Sequence, residues 1–149
     1  MGKIADMSAE TDRKIVGEEL LVTEFIQVEL QESTAIIHLR RPPMNALNLQ
    51  MQREIEAAAT FVSGRVGIDA VVLYGGEKVF AAGADVKEMA NMTYSDMSSA
   101  AHSLQSAFDT VAKISQPTIA AVTGFALGGG LELAMCADFR VAGDNAKLG

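Results

Sequence analysis

A chain of 149 residues, 49% hydrophobic and 21% charged, is one domain's worth of globular protein, long enough to bury roughly two-thirds of its unfolded surface. A formal net charge of −7 excludes the basic footprint of a nucleic-acid binder, and no apolar run approaches the ~20 residues that span a bilayer. The lone Cys136 excludes an internal disulfide and fits a reducing compartment, where it reads as a small hydrophobe on a buried helix.

Residues 1–24 read as a flexible polar extension without structure of its own, carrying Asp6, Glu10, Asp12, Glu18, Glu19 and Glu24 against Lys3, Arg13 and Lys14. Transit peptides are poor in acids and secretory signals need an unbroken apolar stretch, so the expected location is cytoplasmic. Residues 25–149 form the α/β core. Phe25–Leu30 alternates apolar and polar residues as a strand does, and Thr34–Leu39 is its hairpin partner across Gln31-Glu32-Ser33. Pro42-Pro43 ends the ladder. Asn45 or Asn48 caps the next helix, whose Leu47, Met51, Ile55, Ala58 and Val62 follow helical spacing.

Gly64 and Gly67 break that helix, and Ala70–Tyr74 is a short apolar strand. Asp85 with Glu88 three positions on resembles a capping box for a short helix from Val86. Ser95 or Thr93 opens a longer helix with Met97, Ala101, Leu104, Phe108 and Val111 on one face. Beyond Pro117, Thr118–Val122 is a buried strand, a helix runs from about Leu131 to Cys136, and Phe139–Ala142 is a last strand. Strands alternating with helices imply crossover connections.

Two glycine-rich segments, Phe80–Asp85 and Gly124–Glu132, lie where strands hand over to helices. Gly128 does not open a dinucleotide fingerprint, because position 133 is Leu133 rather than glycine. A phosphate loop from Gly124 would need lysine where Gly130 stands. One cysteine with His38 and His102 makes no zinc set, and there is no serine elbow. What survives is a cradle of main-chain N–H groups at helix starts, able to hold a developing oxyanion, with Glu132 as the adjacent carboxylate. Taken alone, Glu132 complements the helix dipole, Asp85 is a cap, and His38 and His102 are structural.

The stretch Val79–Met89, the stretch Pro117–Ala134 and the loop Arg41-Pro42-Pro43-Met44-Asn45-Ala46-Leu47 resemble the signatures of the enoyl-CoA hydratase/isomerase (crotonase) superfamily over about residues 25–149. The resemblance implies a spiral of repeated ββα units, truncated here before the family's C-terminal helical region. It places oxyanion donors on the N–H groups of Ala84 and Gly129, and makes Glu132 the first of two glutamates that handle water. Ala82, Gly83, Ala84, Asp85, Val86, Lys87 and Gly129 fall at the substrate and coenzyme site, with Arg40, Arg41 and Lys87 as candidate phosphate partners. The implied reaction is hydration of a 2-enoyl-CoA to 3-hydroxyacyl-CoA, a lyase activity most often set in fatty-acid β-oxidation. The alternatives are an enoyl-CoA isomerase and a non-catalytic acyl-CoA-binding fragment. The hydratases' second glutamate would fall a few residues beyond Gly149. The resemblance implies no metal, no cofactor beyond the coenzyme A of the substrate, no nucleic-acid or membrane partner, and assembly at full length as a homotrimer or dimer of trimers.

Overall fold

The structure, a computed structural model, describes residues 17–149. Glu18–Val22 (β1) pairs antiparallel with Ile26–Gln31 (β2), Glu18 opposite Leu30 and Val22 opposite Gln27. This corrects the expectation that residues 1–24 lack structure of their own; the part of that segment up to residue 16 lies outside the described residues. β1 lacks an alternating signature because Leu20 and Leu21 are adjacent and both pack against the core, across a register irregularity between Glu19 and Leu21, while Glu18, Glu19 and Val22 are exposed on the sheet edge. Glu54 fastens the following corner, accepting from Thr23 Oγ1 and from the Phe25 amide, each at 2.7 Å.

Thr34–Leu39 (β3) pairs antiparallel with β2 and buries Ala35, Ile37 and Leu39 in the predicted alternation. Asn48, not Asn45, caps Leu49–Val62 (α1), accepting from the Met51 amide at 2.9 Å. The buried stripe of α1 is Met51, Ile55, Ala58, Ala59 and Val62, with Met51 and Ile55 contributing about 2 kcal/mol each through burial. Ala70–Tyr74 (β4) runs parallel to β3, and Val79–Ala81 (β5) follows it.

Val86–Met89 (α2) starts where the sequence predicts, but its capping box is only half formed. Asp85 Oδ1 accepts from the Lys87 and Glu88 amides, whereas Glu88 Oε2 accepts from the Leu49 amide at 3.0 Å. The uncovered N–H at the start of α1 claims that carboxylate instead. A complete box stands at Tyr94–Ala112 (α3), where Thr93, not Ser95, exchanges bonds with Asp96. Of α3, Ala107 and Val111 are fully buried; Met97 and Leu104 are half-buried and Ala101 is exposed, because that stretch faces a cavity rather than the core.

Thr118–Val122 (β6), Phe125–Ala126 (β7), Gly129–Met135 (α4), Phe139–Ala142 (β8) and Lys147–Leu148 (β9) complete the chain. α4 begins two residues earlier than the sequence predicts. A six-stranded sheet has the order β1-β2-β3-β4-β6-β8, parallel from β3 onward, and a smaller parallel sheet has the order β5-β7-β9. From β4 on, each repeat gives its first strand to the large sheet and its second to the small one. This is the α/β plan of repeated ββα units. The small strands, of two or three residues, are too short to show any period in the sequence. Among the described residues no helix is long and apolar enough to cross a membrane.

Candidate active site

The small sheet brings the two glycine segments together. β5 pairs with β7, so the turns that leave them, toward α2 and α4, emerge side by side. Gly83 adopts φ +96, a conformation open to glycine, and its carbonyl accepts from the Leu47 amide at 2.7 Å. The proline loop is stitched along the same edge: the Ala82 amide donates to Met44 O at 3.0 Å, and Arg41 donates to Ala46 O at 2.8 Å and to Asp85 Oδ2 at 2.7 Å. Asn45, which sequence reasoning offered as a helix cap, is buried at φ +50. It clamps this loop, accepting from the Arg41 amide and donating to Gly75 O and Phe80 O.

The main-chain donors sort cleanly at the start of α4. Gly128 N–H donates to Gly149 O at 2.7 Å, and Gly130 N–H to Leu127 O at 2.9 Å. Gly129 N–H, between them, has no acceptor among the described residues, and neither has Ala84 N–H. These two amides are neighbours. A Cβ placed on Gly129 would lie 3.7 Å from the Ala84 nitrogen, and one on Gly83 would lie 3.4 Å from the Gly129 nitrogen. Two unpartnered donors so placed can hold one oxygen atom carrying negative charge.

Glu132 occupies the first turn of α4 with its side chain exposed, its own amide tied to Gly128 O at 3.0 Å. Asp85 caps α2 as the sequence predicts. Burial would raise its pKa, but the Glu88 amide, the Arg41 guanidinium and the Lys87 amide together hold it below the usual carboxylate value. Cys136 is half-buried at the end of α4 and donates to Glu132 O. Burial, then the charges of Asp109 and Glu132, push its thiol pKa up, away from reactivity. His38 meets Glu29 at 3.1 Å within the large sheet, and His102 is on an exposed face of α3, bonded to Ser98 O. Neither is near the amide pair's loops in the hydrogen-bond network.

Two concavities meet at Ala84. An open groove of about 690 Å³ is lined by Arg41, Pro43, Ala82, Ala84, Val86 and Lys87 among others, so five of the predicted coenzyme-site residues (Ala82, Ala84, Asp85, Val86 and Lys87) line it. Gly83 is buried beneath it, and Gly129 stands across from Ala84. On the other side, a cavity of about 140 Å³ between α1, α2 and α3 is lined by Ala84, Leu47, Met89, Met97 and Leu104, with Gln52 and Glu88 also in its wall. The predicted cations divide. Arg41 is committed to Asp85, Arg40 faces a different depression beside Gly76, and Lys87 lines the groove outside every ion pair among the described residues. Sequence reasoning missed Asn45 as a clamp and Gln52 and Glu88 as cavity residues; the 3.6-residue spacing that puts Gln52 beside Met51 and Ile55 was its only signal.

With this arrangement in view, comparison with known proteins is decisive about kinship. The family described as enoyl-CoA hydratase/isomerase matches residues 29–149, and the chain belongs to it. It is 44% identical over 133 residues to the probable enoyl-CoA hydratase EchA17 of Mycobacterium tuberculosis, covering 86% of this chain and 51% of that protein. It is 46% identical over 127 residues to the probable enoyl-CoA hydratase echA8 of Mycobacterium bovis, covering 85% and 49%. Among solved structures, an enoyl-CoA hydratase/carnithine racemase from Magnetospirillum magneticum superposes with a TM-score of 0.82 at 38% identity, covering 86% of this chain and 49% of that one. The enoyl-CoA hydratase of Bacillus anthracis gives 0.81 at 36% identity, covering 85% and 50%. The chain spans about half the length of the curated relatives it matches.

Proposed function

We propose that this chain carries the oxyanion half of a 2-enoyl-CoA hydratase site. The observation that carries the reading is the pair of adjacent, unpartnered amides of Ala84 and Gly129, set where the open groove meets the apolar cavity. The coenzyme lies along the groove, with Lys87 near its phosphates, and the acyl chain enters the cavity. The thioester oxygen then sits against both N–H groups.

In the proposed reaction, the oxygen of water bonds to C3 of the enoyl group. The π pair moves through C2 onto the thioester oxygen, and the resulting enolate is held by the two amides. One well-aimed donor of this kind contributes about 3–4 kcal/mol to lowering the barrier. Glu132 takes the proton from water, and a second acid delivers a proton to C2, the role that the resemblance gives to a glutamate downstream of Gly149. The relatives' names, which call them probable hydratases, support the same chemistry.

Loss of the conjugated absorbance of crotonyl-CoA tests the proposal, in a protein extended to the length of its relatives. Glu132→Gln should lower kcat by about 10²–10⁴ with little change in KM. An unchanged rate would remove Glu132 from the mechanism. Accumulation of a positional isomer in place of 3-hydroxyacyl-CoA would assign the site to isomerisation.

A further inference from the structure

A donor for an oxyanion must be aimed as well as free, and the aim of the Ala84 N–H is set by its own peptide group. That N–H shares a planar trans peptide with the Gly83 carbonyl, so the two point in opposite directions. The Leu47 amide grips Gly83 O at 2.7 Å, and one residue upstream of Gly83 the Ala82 amide donates to Met44 O at 3.0 Å. Residues 44–47 therefore lie alongside residues 82–84, with Leu47 bridged in parallel to Ala84. The path of 44–47 fixes the Gly83 carbonyl and so turns the Ala84 N–H away from Leu47. Gly129 is aimed by the same logic, since Gly128 O accepts from the Glu132 amide at 3.0 Å.

Asn45 stands inside that guiding segment, 5% exposed and at φ +50, a left-handed conformation that asparagine tolerates and most side chains resist. Its Oδ1 accepts from the Arg41 amide at 2.8 Å, and its Nδ2 donates to Gly75 O at 2.8 Å and to Phe80 O at 3.1 Å. With carbonyls on one side and an N–H on the other, the side-chain amide has a single satisfactory orientation. One side chain thus holds the proline loop against the turn after β4 and against β5, the strand that leads into Gly83 and Ala84. Glycine would suit the dihedral and make none of these bonds.

We propose that Asn45 is a positioning residue for the oxyanion donors, aiming the Ala84 N–H through Leu47 and the Gly83 carbonyl. The inference rests on the acyl-CoA reading above. Asn45 lines neither the groove nor the apolar cavity, so it acts on the thioester only through the main chain. Without its clamp, residues 44–47 lose register against 82–84, the peptide between Gly83 and Ala84 turns, and Gly129 is left as the one aimed donor. Asn45→Asp isolates the donor half of the clamp. The carboxyl can still accept from the Arg41 amide, but its other oxygen faces the carbonyls of Gly75 and Phe80. Burial among carbonyls favours the protonated acid, whose O–H donates to one of them. Arg40 and Lys78, which oppose protonation, and Glu77, which favours it, line the depression beside Asn45, while the Arg41 guanidinium is engaged by Asp85.

The test is infrared difference spectroscopy of butyryl-CoA, isotope-labelled at the thioester carbonyl, bound to this chain and to variants at Asn45. Binding to the native chain should lower the carbonyl stretching frequency, because both amides polarise the bond. Asn45→Ala and Asn45→Gly should each lose about half of that shift and bind about fivefold to tenfold more weakly. Asn45→Asp should lose the shift at about pH 8 and regain it at about pH 5.5, while the native shift is the same at both. A residue that only packs would lower the melting temperature and leave the shift of the bound thioester unchanged, and that result overturns the inference. So does an Asn45→Asp shift that is equal at the two pH values. Glycine, at home at φ +50, keeps the comparison available should Asn45→Ala fail to fold. A native shift that survives in every variant sinks the inference alone, whereas a native chain that binds butyryl-CoA without a shift, or does not bind it, removes the oxyanion reading as well.

Discussion

Arg41 Nη2 stands 2.7 Å from Asp85 Oδ2 and joins the proline loop to the cap of α2, on the segment that presents the Ala84 amide. The same guanidinium donates to Ala46 O and lies 5.4 Å from the centre of the Phe25 ring. One planar fork thus ties three segments together, a geometry that lysine cannot reproduce.

Arg41→Ala should therefore cost about 1–2 kcal/mol in urea denaturation, and Arg41→Lys should recover less than half of it. The substitution also has a pH signature. Asp85 titrates below its usual value near 3.8 in the fold, so its stabilising contribution is fully present above that value and is lost as pH falls through the depressed one. Removing Arg41 should shift the acid edge of stability upward. An alanine variant as stable as the native chain from neutral pH down to that edge would show that the pair does not hold the loop.

Neighbouring glycines in α4 should respond oppositely to the same added methyl group. A Cβ on Gly130 would lie 2.0 Å from Ala81 O, so Gly130→Ala must push α4 off β5 at a cost of several kcal/mol. A Cβ on Gly129 meets only ordinary contacts, 3.7 Å from the Ala84 nitrogen. Gly129→Ala should keep its stability within about 1 kcal/mol, since alanine suits a helix better than glycine, yet lose acyl-CoA binding because the methyl occupies the space between the two amides. Thermal melting and ligand titration of both variants separate these outcomes. Undiminished acyl-CoA binding by a folded Gly129→Ala protein would contradict the oxyanion assignment.

His38 offers a pH prediction remote from the site. Its pKa lies below 6.5 in the fold, because burial and then the charge of Arg40 outweigh the raising effect of Glu29. At neutral pH the 3.1 Å contact is accordingly a hydrogen bond from a neutral imidazole to Glu29, not an ion pair. The unfolded chain binds the proton more readily, so stability is fully present above pH 6.5 and falls as pH drops through the folded value. Proton NMR titration should find Arg40→Gln raising the His38 pKa and Glu29→Gln lowering it further. The opposite order would mean that the ring is held by its carboxylate.

What could be read from the sequence depended on the range of the interaction. β3, β4, β6 and β8 match the predicted strands end for end, because each is an apolar or alternating run with turn formers on both sides. β1 and the three strands of the small sheet were not legible. One is an exposed edge, and the others are held by pairing partners some 20 to 45 residues away rather than by their own composition. The positions of Ala84, Gly129 and Glu132 came from paired glycine motifs and the family resemblance. The pairing of Arg41 with Asp85 was hidden, since it joins residues 44 apart, and a charge pattern alone had suggested phosphate contacts for Arg41.

Both donors of the amide pair are main-chain atoms, so of all substitutions at Ala84 or Gly129 only proline, which has no N–H, deletes one outright. Other substitutions disable them by moving the path of the chain or, as at Gly129, by filling the space between them. Damaging substitutions should therefore concentrate at positions that steer the path without touching the bound molecule: Gly83 at its unusual dihedral, Gly130 against Ala81, and the Gly149 carbonyl that engages Gly128. In the proposed site, sequence drift elsewhere around the pocket can retune which molecules are accepted while the two amides stay in place.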